Sequence, residues 1–264
     1  MPWSERQRAM LREMGIPLWL PEQPEVQTPT AVVPPEAEAA APQRVAEPEP
    51  VPFAPPTAAV PQGAVSSLDW PALRSAVADC RSCSLCQTRK QTVFGVGSLQ
   101  AKWMVVGEAP GEQEDAQGEP FVGVSGQLLD QMLAALGLTR AAEGAPPERQ
   151  VYIANTLKCR PPRNRNPEPA ELAQCEPFLI RQIELLQPRI ILAMGRFAVQ
   201  TLLRSSEPIG RLRGRVHHYH GVPLVVTYHP AYLLRSLGEK ARAWDDLCLA
   251  ADTVAAAAAA TSSA

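Results

Sequence analysis

Six cysteines punctuate a chain of 264 residues, and their spacing is the first feature with chemical content. Cys80 and Cys83 form a C-x2-C pair, Cys86 follows at the same interval, and Cys159 and Cys175 lie downstream with fifteen residues between them. Thiolates gathered from such positions suit a tetrahedral zinc ion or a four-iron, four-sulfur cluster, both of which take soft sulfur ligands. Spacing alone leaves the two open. Cys80, Cys83 and Cys86 also match the start of a bacterial ferredoxin run, but Lys90 stands where that run requires its fourth cysteine. Cys248, in Asp-Asp-Leu-Cys-Leu near the C-terminus, reads as a small buried apolar side chain.

A second set of residues gathers in three segments, 107–115, 155–165 and 227–235, rich in polar residues, glycine and proline where a bare connector needs only a few residues. Each follows a short apolar run. The runs at 103–106, 151–154, 190–193 and 223–226 are bounded by turn formers, as strands buried on both faces are. Helical periodicity fills the intervals. Asp69, Trp70 and Pro71 open a helix expected to reach about residue 79, and 125–136, 168–186, 196–203 and 239–258 show apolar residues at helical spacing. Alternation of strand and helix implies an α/β fold, a three-layer α/β/α arrangement around a central, mainly parallel, four-stranded sheet. The three polar segments then fall at the C-terminal ends of strands, where open parallel sheets place their ligands.

Composition divides the chain. Residues 21–62 hold 12 prolines, six glutamates and one basic residue, Arg44, and cannot bury enough apolar surface to offset the ordering of the chain. They carry −5 of a total formal charge of −2, so a mildly basic body sits behind an acidic tether. The expected organisation is a short amphipathic segment at 1–20, open to a docking role with a protein partner, and a disordered Pro/Ala/Glu-rich linker at 21–65. A folded domain over 66–252 and a disordered alanine-rich tail at 253–264 complete it. The charged N-terminus lacks the apolar stretch of a secretory signal, and no run approaches the roughly 20 apolar residues that span a bilayer. An intracellular protein without a membrane role is therefore expected, which argues against disulfides as the use of the cysteines.

Several motifs, in order, resemble the family 4 uracil-DNA glycosylases, base-excision enzymes of bacteria and archaea. They are Gly-Glu-Ala-Pro-Gly at 107–111 with Glu114 and Asp115, Pro-Phe-Val-Gly at 120–123, and Ser-Gly-Gln-Leu-Leu-Asp at 125–130. Asn-Thr-Leu-Lys-Cys-Arg-Pro-Pro at 155–162 and His-Pro-Ala-Tyr-Leu-Leu at 229–234 complete the set. The resemblance covers about residues 68–249. It implies a monofunctional enzyme that flips uracil out of single- or double-stranded DNA and hydrolyses its N-glycosidic bond, leaving an abasic site. It also implies one four-iron, four-sulfur cluster held by Cys80, Cys83, Cys159 and Cys175; position 86 is not a ligand in that family. A monomer is expected, in the cytoplasm of a bacterial cell and active at the nucleoid.

The chemistry of the residues agrees. Expelling a uracil anion from a sugar that becomes cation-like requires donors to the departing base and shielding of the cation. His229 is placed to donate to uracil O2, and the carboxamide of Asn155 presents one donor and one acceptor complementary to O4 and N3–H. Phe121 offers a face for stacking. The resemblance places Glu108, Ala109 and Glu114 in the same pocket, with Glu108, Asn155 and His229 carrying catalysis; one glutamate helps place water or the sugar, and the other crowds uracil C5 against the methyl of thymine. Related glycosylases with Gly-Gln-Asp-Pro-Tyr in the first loop have an aspartate where this chain has Ala109, so water activation cannot rest there. The alternatives are a core role for Phe121 and helix N-terminal roles for Glu112, Glu114 and Asp115.

Lys158, Arg160, Arg163 and Arg165 in one loop and Arg213 in another are expected to meet DNA phosphates. Tyr232, Leu233, Leu234 and Arg235 are expected at the gap left by the flipped nucleotide. His217, His218 and His220 lie on an expected strand and read as solvent or phosphate contacts. The competing functions are a non-catalytic iron–sulfur DNA-binding module and an electron-transfer protein, neither of which needs an amide reader, a stacking ring and a histidine on separate strand ends.

Overall fold

The computed structural model describes residues 65–141 and 143–262. The expected N-terminal segment and nearly all of the linker lie outside these residues. The four apolar runs form the parallel heart of a sheet: β2 (Trp103–Gly107), β3 (Val151–Asn155), β4 (Ile190–Met194) and β6 (Val222–Thr227). All residues of β2, β3 and β4 are buried, which is why these strands read as unbroken apolar runs and not as alternations.

The sheet has six strands, not four, in the order β1-β3-β2-β4-β6-β5. The additional edges are β1 (Val96–Gly97), antiparallel to β3, and β5 (Val216–Tyr219), antiparallel to β6. The two residues of β1 are too few to show periodicity, and β5 is half exposed and carries His217 and His218, so neither adds a buried apolar run.

Successive side chains of each strand point to opposite faces, and the two faces make separate cores. Met104, Val106, Tyr152, Ile191 and Val226 pack against α4 (Pro169–Leu186) and α5 (Arg196–Leu203) through Leu179, Ile183, Val199 and Leu202. On the other face Trp103, Val105, Ile153, Leu192 and Val225 meet α3 (Val124–Ala135) and α8 (Lys240–Ser262) through Leu129, Leu133, Leu247 and Ala250. The three-layer expectation holds. Helix α1 (Trp70–Ala78) starts as its residues dictate, with Asp69 accepting a hydrogen bond from the Ala72 amide at 2.9 Å. It lies over Val65, Phe94 and Phe178, so Val65, which the expected boundary at 66 left in the linker, belongs to the core. Helix α8 continues to Ser262 where a disordered tail from 253 was expected; alanine is the strongest helix former, and the run of alanines simply extends the helix. Among the described residues no helix is long and apolar enough to cross a membrane.

The chain builds β3 on one side of β2 and then crosses to place β4 on the other. That reversal opens a crevice at the C-terminal ends of β2, β3 and β4, and the three polar loops surround it.

Candidate active site

Gly107 ends β2 beside Asn155, the last residue of β3, its registered partner. A side chain at 107 would overlap Asn155 Oδ1 and approach Phe121 Cζ to 2.6 Å, so glycine here leaves room for two groups that face the same small space. Asn155 is buried, yet its Oδ1 has no hydrogen-bond partner. A buried, unpaired amide oxygen costs on the order of 1–3 kcal/mol unless something supplies a donor.

Phe121 reaches this space through an unusual backbone. Its φ is +56°, a left-handed conformation that bulky residues rarely adopt. Glu114, in α2 (Glu112–Gln117), holds it there: Oε1 accepts from the amides of Val122 and Gly123 at 3.0 and 3.1 Å, and Oε2 from that of Gly111 at 3.1 Å. From the other side Arg140 donates to the Pro120 carbonyl at 2.9 Å while paired with Asp130. Glu114 therefore has its carboxylate committed to shaping the 111–123 wall. Asp115, buried beside it, accepts the Lys90 amide on both oxygens and secures the base of the same turn.

The third group enters from β6. His229 caps α7 (Pro230–Arg235), its Nδ1 accepting from the Ala231 amide at 3.2 Å. That bond fixes the neutral tautomer with the proton on Nε2. Burial, reinforced by Arg235 and opposed by Glu114, pushes the imidazole down to about 4. The ring stacks on Phe121 with centroids 5.3 Å apart and planes 26° from parallel. Gly195, at φ +89°, lets β4 turn beneath it, since a side chain there would lie 3.1 Å from His229 Cβ. Glu108 is half-buried next to Arg196; burial raises its carboxyl and Arg196 counters the rise. Ala109 is half-buried and packs against the cluster of Leu85, Leu157, Cys159, Leu172, Cys175 and Phe197. Asn155, Phe121 and His229, from three separate segments, thus converge.

A pocket lies behind the β3 loop. Cys80, Cys83, Cys159 and Cys175 line it together with Cys86. Cys83 is the extended residue that precedes the 3₁₀ turn Ser84–Gln87, and Cys86 lies within that turn. Burial pushes the Cys175 thiol up to about 12 and raises Cys83 and Cys159. A bound metal would take them as thiolates, against that rise. Among the described residues no three metal-binding side chains stand close enough to hold a single ion. Cys248 is only half-buried in α8.

Several expected DNA contacts are placed elsewhere. Lys158 is 1% exposed, its Nζ donating to the Asn155 carbonyl at 2.8 Å and to Gln182 Oε1 at 2.6 Å, so it cannot reach a phosphate. Burial lowers its ammonium to about 8 against the opposing pull of Cys175 and Cys159. Arg165 forms a two-pronged pair with buried Glu171 at 2.6 and 2.9 Å, and Arg213 one with buried Asp246 at 3.0 Å; both brace the fold. Leu233 is 1% exposed and belongs to the core side of α7. Arg160 is half-buried between Asn164 and Glu112, while Arg163, Tyr232, Leu234 and Arg235 are exposed. Val124 (62% exposed) and Leu237 (65%) were not anticipated; an exposed leucine or valine has no periodic signature until the helices around it are packed.

A family model described as Uracil DNA glycosylase superfamily matches residues 94–248, the span that carries the sheet and all three loops. The chain is 42% identical over 166 residues to the type-4 uracil-DNA glycosylase of Archaeoglobus fulgidus, covering 60% of this chain and 79% of that protein. It is 38% identical over 192 residues to the type-4 enzyme of Pyrobaculum aerophilum (69% and 93%) and 39% over 168 to that of Thermotoga maritima (63% and 83%). The chain belongs to the uracil-DNA glycosylase superfamily and, within it, to the type-4 enzymes.

Proposed function

We propose that this protein excises uracil from DNA by hydrolysing its N-glycosidic bond, acting in base-excision repair. The observation that carries this reading is the orphaned Asn155 Oδ1, buried at the Phe121 ring. Uracil N3–H supplies the missing donor and O4 accepts from Nδ2, whereas cytosine presents the reverse pattern and leaves both groups opposed. Phe121 stacks the extruded base. His229, held neutral with its proton on Nε2, donates to O2 as negative charge gathers there; an uncharged donor serves because the charge it meets develops in the transition state. Glu108 orients water or the sugar, and the wall held by Glu114 crowds C5 against a thymine methyl. Arg163, Tyr232, Leu234 and Arg235 line the approach of the DNA strand.

The thiol pocket suits a four-iron, four-sulfur cluster on Cys80, Cys83, Cys159 and Cys175. A single zinc would need its four sulfurs within about 4.6 Å of one another, twice a Zn–S bond of about 2.3 Å, whereas a cluster gives each thiolate its own iron and spreads them. The cluster would supply structure, joining the 80–83 segment, the β3 loop and α4. A non-catalytic module or an electron carrier gains nothing from an orphaned amide aimed at a stacking ring.

Purified, iron-loaded protein is expected to release uracil from single- and double-stranded DNA at low salt and to spare thymine and cytosine; no release would sink the proposal. The rate should show no step near pH 6.5, the value of a free histidine, because His229 stays neutral down to about 4. A rate that falls as pH rises through 6 to 7 would instead identify an imidazolium acid. Arg163→Ala is expected to weaken binding equally for all sequences and to reduce the salt slope by about 1. An unchanged slope would remove Arg163 from the interface.

A further inference from the structure

The thiol pocket contains two cations and no acid: five cysteines share it with Arg89 and Lys158, and no carboxylate lines it. The ammonium of Lys158 is engaged by the Asn155 carbonyl and Gln182. Arg89 is different. Its half-buried guanidinium donates from Nη1 to Cys159 Sγ at 3.0 Å and from Nη2 to the carbonyls of Ala78 and Cys80 at 3.0 and 2.9 Å. None of the ion pairs among the described residues includes it. A guanidinium taken partly out of water without a counter-charge is costly, and the side chain it meets is a proposed cluster ligand, Cys159.

Arg89 also joins two separate pieces of chain. One is the end of α1 with Cys80; the other is the β3 loop, which carries Cys159 four residues after Asn155. The planar fork of arginine fits this three-acceptor arrangement, while a lysine offers one compact nitrogen.

We propose that Arg89 is the positioning and charge-compensating residue of the cluster site. Its fork holds Cys159 against the Cys80 segment before and after the metal is bound. Its charge offsets part of the net charge of about −2 that four thiolates confer on a four-iron cluster. The proposal rests on the cluster reading given above, and the experiment separates the two.

Full-length protein, Arg89→Gln and Arg89→Lys are purified without oxygen and compared in iron content, visible absorbance, rate of bleaching in air and reduction potential. Loss of an outer-shell donor typically weakens a metal site 10- to 100-fold, so Arg89→Gln should bleach about tenfold faster than the parent. Its potential should become more negative, because removing a positive charge disfavours the more anionic reduced state. Arg89→Lys keeps the charge and loses the fork: its potential should stay near that of the parent while bleaching remains fast. Parental bleaching rate and potential in Arg89→Gln would overturn the proposal. If Arg89→Gln gives no soluble protein, Arg89→Lys decides, and a parental bleaching rate there overturns the clamp. A colourless parent protein containing zinc would sink the cluster reading instead; Arg89 is then tested by zinc loss to a chelator, where equal rates in parent and Arg89→Gln overturn its role.

Discussion

Replacing His229 with alanine is expected to lower the rate of uracil release about 10²- to 10³-fold, the usual cost of removing one donor to developing negative charge. The loss should fall on kcat and leave the affinity for DNA nearly unchanged, since the Nε2 proton meets its acceptor only as the base departs. Geometry supports the size of the effect. Nδ1 is already occupied by the Ala231 amide, the ring is braced by Phe121, and Gly195 leaves just enough room beneath Cβ. The donor is therefore fixed before the substrate arrives, and no reorganisation is needed when charge appears. His229→Gln returns a side-chain N–H without the ring and should recover part of the loss. A His229→Ala rate within about threefold of the parent would mean that base departure is assisted from elsewhere.

Gly126→Ala is expected to cost about 10²-fold or more in rate, although the residue touches no substrate. Two effects oppose each other. Alanine is favoured over glycine within a helix by about 0.5–1 kcal/mol, and Gly126 lies in the first turn of α3. Against this, a methyl group at 126 would fall on the carbonyl of Phe121 and 3.0 Å from its Cα. These are backbone atoms of a residue already in a strained conformation and pinned by Glu114 and Arg140, so no side chain can swing away. Overlap of this kind typically costs about 1–3 kcal/mol, which outweighs the helical gain. Relief requires moving Phe121 by roughly an ångström, enough to lose about 10²-fold through misplacement. Gly210→Ala is the control, since nothing lies within 4 Å of the added carbon, and its rate should be unchanged. Parental activity in Gly126→Ala would show that the stacking ring tolerates displacement.

The parallel strands were legible because burial on both faces leaves each as a continuous apolar run, and the loops after three of them stood out by length and composition. The edge strands were not, because an edge is half solvated and short. Lys158 shows the limit of residue type: lysine is a good indicator of exposure, yet here Asn155 and Gln182, far apart in sequence, solvate its ammonium inside the fold. Leu233 and Leu234 are neighbours of identical type, and only the packing of a six-residue helix decides that the first is buried and the second exposed. Arg89 carried no signal at all, since nothing local ties an arginine six residues after Cys83 to a sulfur at 159.

What the amino-acid order settled by itself was chemical identity and its local setting: which side chains are present, that they follow strand ends, and that the domain is α/β. These follow from short-range periodicity and from the kinds of groups the chain carries. Which of those groups meet, which charges are buried, and which amide is left without a partner were decided only in three dimensions. The free energy of a polar group depends on neighbours brought to it from distant parts of the chain, and no stretch of sequence contains them.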